Sequence, residues 1–177
     1  MKKFSLVLFS ILFTGLCFSQ KNYTTKSGQI KFFSNTAIED VEAINNQVFC
    51  SINTITGKVQ FAVLIKGFSF ENALMQKHFN EEEYLHSDKY PKANFVGQIK
   101  NFNPVIFQKN GTYSVTVLGN LTLHGVTKQI TVTGTISFQE GKVTIKSKFN
   151  VKLVDYKITV PEGISNSIAV AVDCTLQ

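Results

Sequence analysis

His78, Glu82 and His86 recur at every fourth residue, so on a helix they share one face and offer two imidazoles and a carboxylate to a divalent cation. The order is not H-E-x-x-H and no fourth ligand is indicated, so a solvated polar helix face accounts for the same residues. Nucleophilic chemistry has less to stand on. The third histidine, His124, lies far along the chain, there is no G-x-S-x-G, and Asp40, Asp88, Asp155 and Asp173 are scattered without a partner pattern. Glu81, Glu82 and Glu83 form a charge run on the same stretch, which fits a wet surface better than a pair of glycosidase carboxylates. No glycine loop of the phosphate-cradling kind occurs. Nothing in these residues asks for an enzyme, and no cofactor is expected. A metal-dependent enzyme or stress protein built on His78, Glu82 and His86 is the alternative to keep.

The cysteines and charges narrow the field further. The chain has 177 residues and all 18 of its basic side chains are lysines, against 12 acids. Without arginine there are no bidentate forks for phosphate or guanine edges. The head Met1-Lys2-Lys3, the apolar run from Phe4 to Phe18 and the triplet Cys17-Phe18-Ser19 before Gln20 compose a secretory signal, with cleavage expected near Ser19. That divides the chain into a signal peptide at 1–19 and one domain at 20–177, placed in the periplasm or secreted. The apolar run is shorter than the ~20 residues of a membrane span, and no other run is longer, so no transmembrane span is expected. With Lys2 and Lys3 removed the net charge falls from +6 to +4, too mild to recommend nucleic acid as a partner. Cys50 and Cys174 remain, as one disulfide or as two buried thiols.

The elements that position these groups are mostly strands. Val59, Phe61, Val63 and Ile65 alternate through Lys58 to Lys66, the period of a half-buried antiparallel strand. The same period runs through Phe95 and Ile99, through Tyr113 to Leu123, through Val126 to Phe138, through Val143 to Leu153 and through Ile168 to Leu176. Ile30 and Phe32, then Val48, Cys50 and Ile52, supply two more. Asn110-Gly111, His124-Gly125 and Glu140-Gly141 are tight-turn pairs. The expected class is therefore all-β, about eight antiparallel strands in a sandwich or barrel, with Gly97, Gly119 and Gly134 where a sheet bends. Two helical interruptions are expected: Glu71 to Ser87, on the spacing of Leu74, Met75, His78, Phe79, Glu82 and Leu85, and a short turn from Ile38 to Asn45.

Of 16 phenylalanines, Phe4, Phe9, Phe13 and Phe18 fall in the signal. The other twelve belong to a filled core or to a barrel interior left open for an apolar ligand. Alternation alone supports both.

Particular strings decide the family. Leu74-Met75-Gln76-Lys77-His78-Phe79-Asn80-Glu81, followed by Tyr84 to Phe95, resembles a helix and strand of the YceI-like family. Gly119 to Lys128 resembles that family's strand, turn and strand, and Asp155-Tyr156-Lys157-Ile158 is also similar. The resemblance spans nearly all of residues 20–177. It implies a lipocalin-like antiparallel β-barrel with a helical insertion packed against it, exported, without an assigned reaction, and holding a polyisoprenoid or other long-chain lipid inside for carriage or sequestration. Leu121 and Leu123 would face the interior while His124 and Gly125 make the turn. Lys128, on the apolar side of its strand, either snorkels to the rim or meets a ligand's polar head, with phosphate its natural partner.

The expected wall is then Phe61, Val63, Ile65, Phe95, Ile99, Val115, Val117, Leu121, Leu123, Ile130, Val132, Ile136 and Phe149, with Leu74 and Phe79 of the helix closing one end. Val117→Trp should obstruct such an interior. A structural module with a filled core is the other reading, recognised by the lack of a cavity of ~300 Å³.

Overall fold

Residues alternating apolar and polar become long strands in the computed structural model, which describes residues 22–34, 40–160 and 163–177. The strands are β1 (Asn22–Ser34), β2 (Val41–Asn53), β3 (Lys58–Leu64), β4 (Ser69–Phe70), β5 (Lys92–Ile99), β6 (Gly111–Leu123), β7 (Val126–Gln139), β8 (Lys142–Lys152) and β9 (Ser167–Leu176). Their order is β1-β9-β8-β7-β6-β5-β3-β2, and β1 pairs back onto β2. Every ladder is antiparallel, so eight strands close on themselves, and the two-residue β4 lies beside β2. Closure removes the sheet edges and leaves one face of each strand to line an interior.

Two of the three turn pairs are hairpins. His124-Gly125 and Glu140-Gly141 both take positive φ at both residues, the combination that matches the twist of paired strands. Asn110-Gly111 is not a hairpin: Gly111 opens β6 after a loop carrying a 3-10 turn at Pro104–Phe107, and the Asn110 side chain instead accepts from the Glu140 N–H at 3.3 Å. Gly97 and Gly119 face each other across β5 and β6. A Cβ on Gly119 would stand 2.5 Å from the Phe95 ring and 2.6 Å from the Gly97 backbone, so the strands meet this closely only because both residues lack a side chain.

The helix is shorter than its periodicity suggested. The helix α1 covers Ala73–Asn80, capped by the Asn72 side chain, which accepts from Leu74 and Met75 N–H groups. Lys77 and His78 suit the negative end of its dipole, but Glu81, Glu82 and Glu83 do not, and the chain leaves the helix at Glu81. Residues 81–90 instead fold back as turns, with Leu85 N–H bonded to Phe79 O and Ser87 N–H to Asn80 O. The expected helical turn at Ile38 to Asn45 is corrected as well. Val41–Asn45 begins β2, where Asn45 is buried and spends its amide on Leu64 O and Gln47 N–H. Ile38 and Glu39 lie outside the described residues, as does the expected signal peptide.

The barrel is packed differently at its two ends. At one, Tyr23, Ile52, Val59, Ile99, Phe107, Val143 and Leu176 are all buried, and Tyr23 stacks on Phe107 with Phe138 edge-on. At the other, the strand ends carry α1 and the turns after it, and there the interior is open.

Within the packed half Cys50 and Cys174 meet beneath Gly28, where a Cβ would stand 2.3 Å from Cys174 Sγ. They are free thiols, 0% and 1% exposed. The hydrogen bond to Cys174 and then burial push the Cys50 thiol up, the same bond lowers Cys174, and both sulfurs are shut off from solvent and reagent by burial. Iodoacetamide should therefore leave the native protein unlabelled and should modify both thiols once the chain is unfolded without reductant. Mass spectrometry of the intact chain reads this, and an unmodified unfolded chain would mean that the pair is oxidised.

Candidate functional site

Alternation on β1 places Ile30, Phe32 and Ser34 on one inward face, and these three line a cavity of about 420 Å³ at the α1 end of the barrel. Val63 and Ile65 line it from the end of β3, Leu121 and Leu123 from β6, Phe149 and Val151 from β8, and Ile168 and Val170 from β9. Met75, His78 and Phe79 of α1 with Tyr84 and Leu85 of the following turns roof it. Phe79 holds the roof down. Its ring lies 4.9 Å from Phe70, 5.5 Å from Phe32 and 5.8 Å from Phe68, spacings at which aromatic edges and faces attract. Asp88 ties the turns to the end of β3 by an ion pair with Lys66, which lowers the Asp88 carboxyl below its usual range.

A second cavity of about 90 Å³ lies deeper, and Ile30 and Phe149 border both. Phe61, Phe95, Val115, Val117, Val132 and Ile136 line this inner space. Expected wall residues thus divide between two compartments, with Val63, Ile65, Phe79, Leu121 and Leu123 around the larger. Ile99 is buried in the packed end, and Ile130 is half-buried and outside both linings. Leu74 is 59% exposed on the outer side of α1, so Phe79 and Met75 form the roof in its place. Lys128 pairs with Leu121 across the ladder, yet it is exposed and outside both linings. It reaches solvent as a snorkelling lysine does.

The histidines part company. With the helix ended at Asn80, Glu82 and His86 are not stacked over His78, and among the described residues no three His, Cys, Asp or Glu side chains gather as a cation site. His78 borders the cavity. His86 packs edge-on against Tyr90. His124 holds the β6–β7 turn, its Nδ1 3.1 Å from Tyr156 O and its ring 4.5 Å from that of Tyr90.

Sequence reasoning missed Ile30, Phe32, Phe68, Phe70, Tyr84, Val151, Ile168 and Val170 as lining. The alternation of Ile30, Phe32, Val151, Ile168 and Val170 was visible, but which end of a barrel stays empty depends on how the loops at each end fill it. The chemistry on offer is burial of hydrocarbon: among the described residues nearly every lining group is apolar, with Ser34, His78, Tyr84 and Thr159 as the polar ones.

Comparison with known proteins agrees with this geometry. A polyisoprenoid-binding domain from Saccharophagus degradans, implicated in plant cell wall breakdown, superimposes with a TM-score of 0.76 at 12% identity, over 89% of this chain and 98% of that one. BcnA of Burkholderia cenocepacia gives 0.69 at 13%, over 85% and 96%. The YceI protein of Campylobacter jejuni gives 0.59 at 16%, over 100% and 99%. In sequence, the UPF0312 protein YE1254 of Yersinia enterocolitica is 28% identical over 117 residues, 63% of this chain. A UPF0312 protein of Yersinia pestis matches to the same extent, and the aligned part spans 57% of the length of each of these curated relatives. The model of the YceI-like domain matches residues 15–176, and with a closed eight-strand barrel and an apolar chamber under its helix, the chain belongs to the YceI-like family.

Proposed function

We propose that this protein is an exported, non-catalytic carrier or sequestering protein that holds a polyisoprenoid or similar long-chain lipid in the barrel. The apolar chamber of about 420 Å³ carries the reading, because each methylene moved from water into it gains about 0.8 kcal/mol. A protein with a filled core has no such space. The charged head, apolar run and small residues of 1–19 support export, to the periplasm or outside the cell. Among the described residues no helix is long and apolar enough to cross a membrane.

Organic extraction of protein purified from its native host, followed by mass spectrometry, tests this reading. The expected result is a stoichiometric lipid species. Protein that carries none, and that takes up no prenyl or acyl chain when offered one, would sink it.

A further inference from the structure

Two buried side-chain oxygens have no hydrogen-bond partner among the described residues, Ser34 Oγ and Asn80 Oδ1. Only Ser34 lines the large cavity. It is 2% exposed, so water at the surface does not serve it, and a buried hydroxyl left alone is uncommon in a folded protein. Ser34 ends the inward row that begins at Ile30, beside the inner compartment. At roughly 3.3 Å per residue the hydroxyl stands about 13 Å along β1 from that floor.

The volume sets a second limit. At roughly 30 Å³ for each non-hydrogen atom, the share that water takes in the liquid, the two compartments admit about 14 to 17 such atoms. Charge sets a third. Among the described residues no Lys, Asp or Glu lines the large cavity, and His78 is the one ionisable base at its edge. A diphosphate drawn into the large cavity would lose its hydration with no lysine there to replace it, and Lys146, which borders the inner compartment, is already paired with Asp173 at 2.8 Å.

We propose, building on the lipid-binding reading, that the chamber buries one hydrocarbon chain of bounded length whose uncharged head, a hydroxyl, carbonyl or amide, hydrogen-bonds to Ser34 Oγ. The chain length is that of about three isoprene units, or an acyl chain of about 14 to 16 carbons. The inner compartment receives the tail and Ser34 the head. Longer polyprenols leave their excess in solvent and gain nothing from it.

Titration of full-length mature protein with a ladder of prenols from geraniol through farnesol and geranylgeraniol to undecaprenol, followed by displacement of a fluorescent fatty-acid probe, tests the length. Affinity should rise by up to about 4-fold per methylene until the chamber is full and then level off. Continued tightening up to undecaprenol would overturn the length limit while leaving lipid binding intact, whereas no binding along the ladder would overturn both. Farnesyl diphosphate should bind more weakly than farnesol, and tighter binding would overturn the uncharged head. Ser34→Ala should weaken farnesol by about 3- to 10-fold and leave the matching headless hydrocarbon unaffected. It should also raise the melting temperature of the empty protein, since an unpaired buried hydroxyl is gone. Equal loss for both ligands, or no loss for farnesol, would show that Ser34 contacts no head group.

Discussion

Replacing Leu121 with tryptophan is expected to abolish uptake of a hydrocarbon chain and to leave the barrel standing. Leu121 points into the larger chamber beside Leu123 and faces Phe95 across the β5–β6 ladder. An indole there would expand into empty space, so the added bulk costs folding little, about 1 kcal/mol or less. It would displace chain instead. Losing contact with four to six methylenes removes about 3–5 kcal/mol, a fall of roughly 10²- to nearly 10⁴-fold in affinity. Probe displacement measures the binding and a urea melt the stability. Wild-type affinity in a well-folded Leu121→Trp protein would mean that the ligand lies elsewhere. Val117→Trp, the obstruction that alternation by itself recommends, is a poorer instrument. Val117 is buried, lines only the 90 Å³ compartment and stands 2.6 Å from the position of a Cβ on Gly97. Overpacking there strains the sheet and confuses lost binding with lost folding.

The largest stability effect is expected from Phe32→Ala, at about 3–5 kcal/mol. Phe32 is the hub between barrel and roof, with ring centroids 5.3 Å from Phe68, 5.7 Å from Phe70 and 5.5 Å from Phe79. No residue of the eight-residue helix α1 is buried, and a helix this short holds no shape in isolation. It therefore depends on these rings. Truncating Phe32 should lower the urea midpoint, and amide exchange should speed up first at 73–90, ahead of the strands. If exchange rose evenly over the whole barrel, the roof would not be the separately held unit that the aromatic cluster suggests.

Both expectations depend on positions whose meaning is only partly visible in a linear sequence. Alternation identified the strands β3 and β5 to β9 and the inward side of each, because a strand's side chains take opposite faces in turn and a core claims one of them. It placed Leu121, Leu123, Val63 and Phe149 inside for that reason. The turn pairs His124-Gly125 and Glu140-Gly141 were equally legible, since few residues tolerate positive φ. Asn110-Gly111 looked the same but opens a strand, because pairing depends on partners many residues away. Periodicity overran the end of α1: Glu82 and Leu85 keep the helical spacing, but the charge run at the helix's negative end and the backbone bonds of Leu85 and Ser87 outweigh it. The His78, Glu82 and His86 face dissolved with those turns.

The sequence by itself determined an all-β antiparallel fold and the inward residues of its longer strands through local spacing, while short strings carried the resemblance that implied the barrel and the family. Only the tertiary structure decided that one end of the barrel is filled by Tyr23, Phe107 and Phe138 while the other is roofed by α1. It also decided that Leu74 and Lys128 face solvent, and that Ser34 is a buried hydroxyl without a partner among the described residues. A cavity is a difference between the space that backbones enclose and the volume that side chains from distant strands fill. No single stretch of chain encodes that difference.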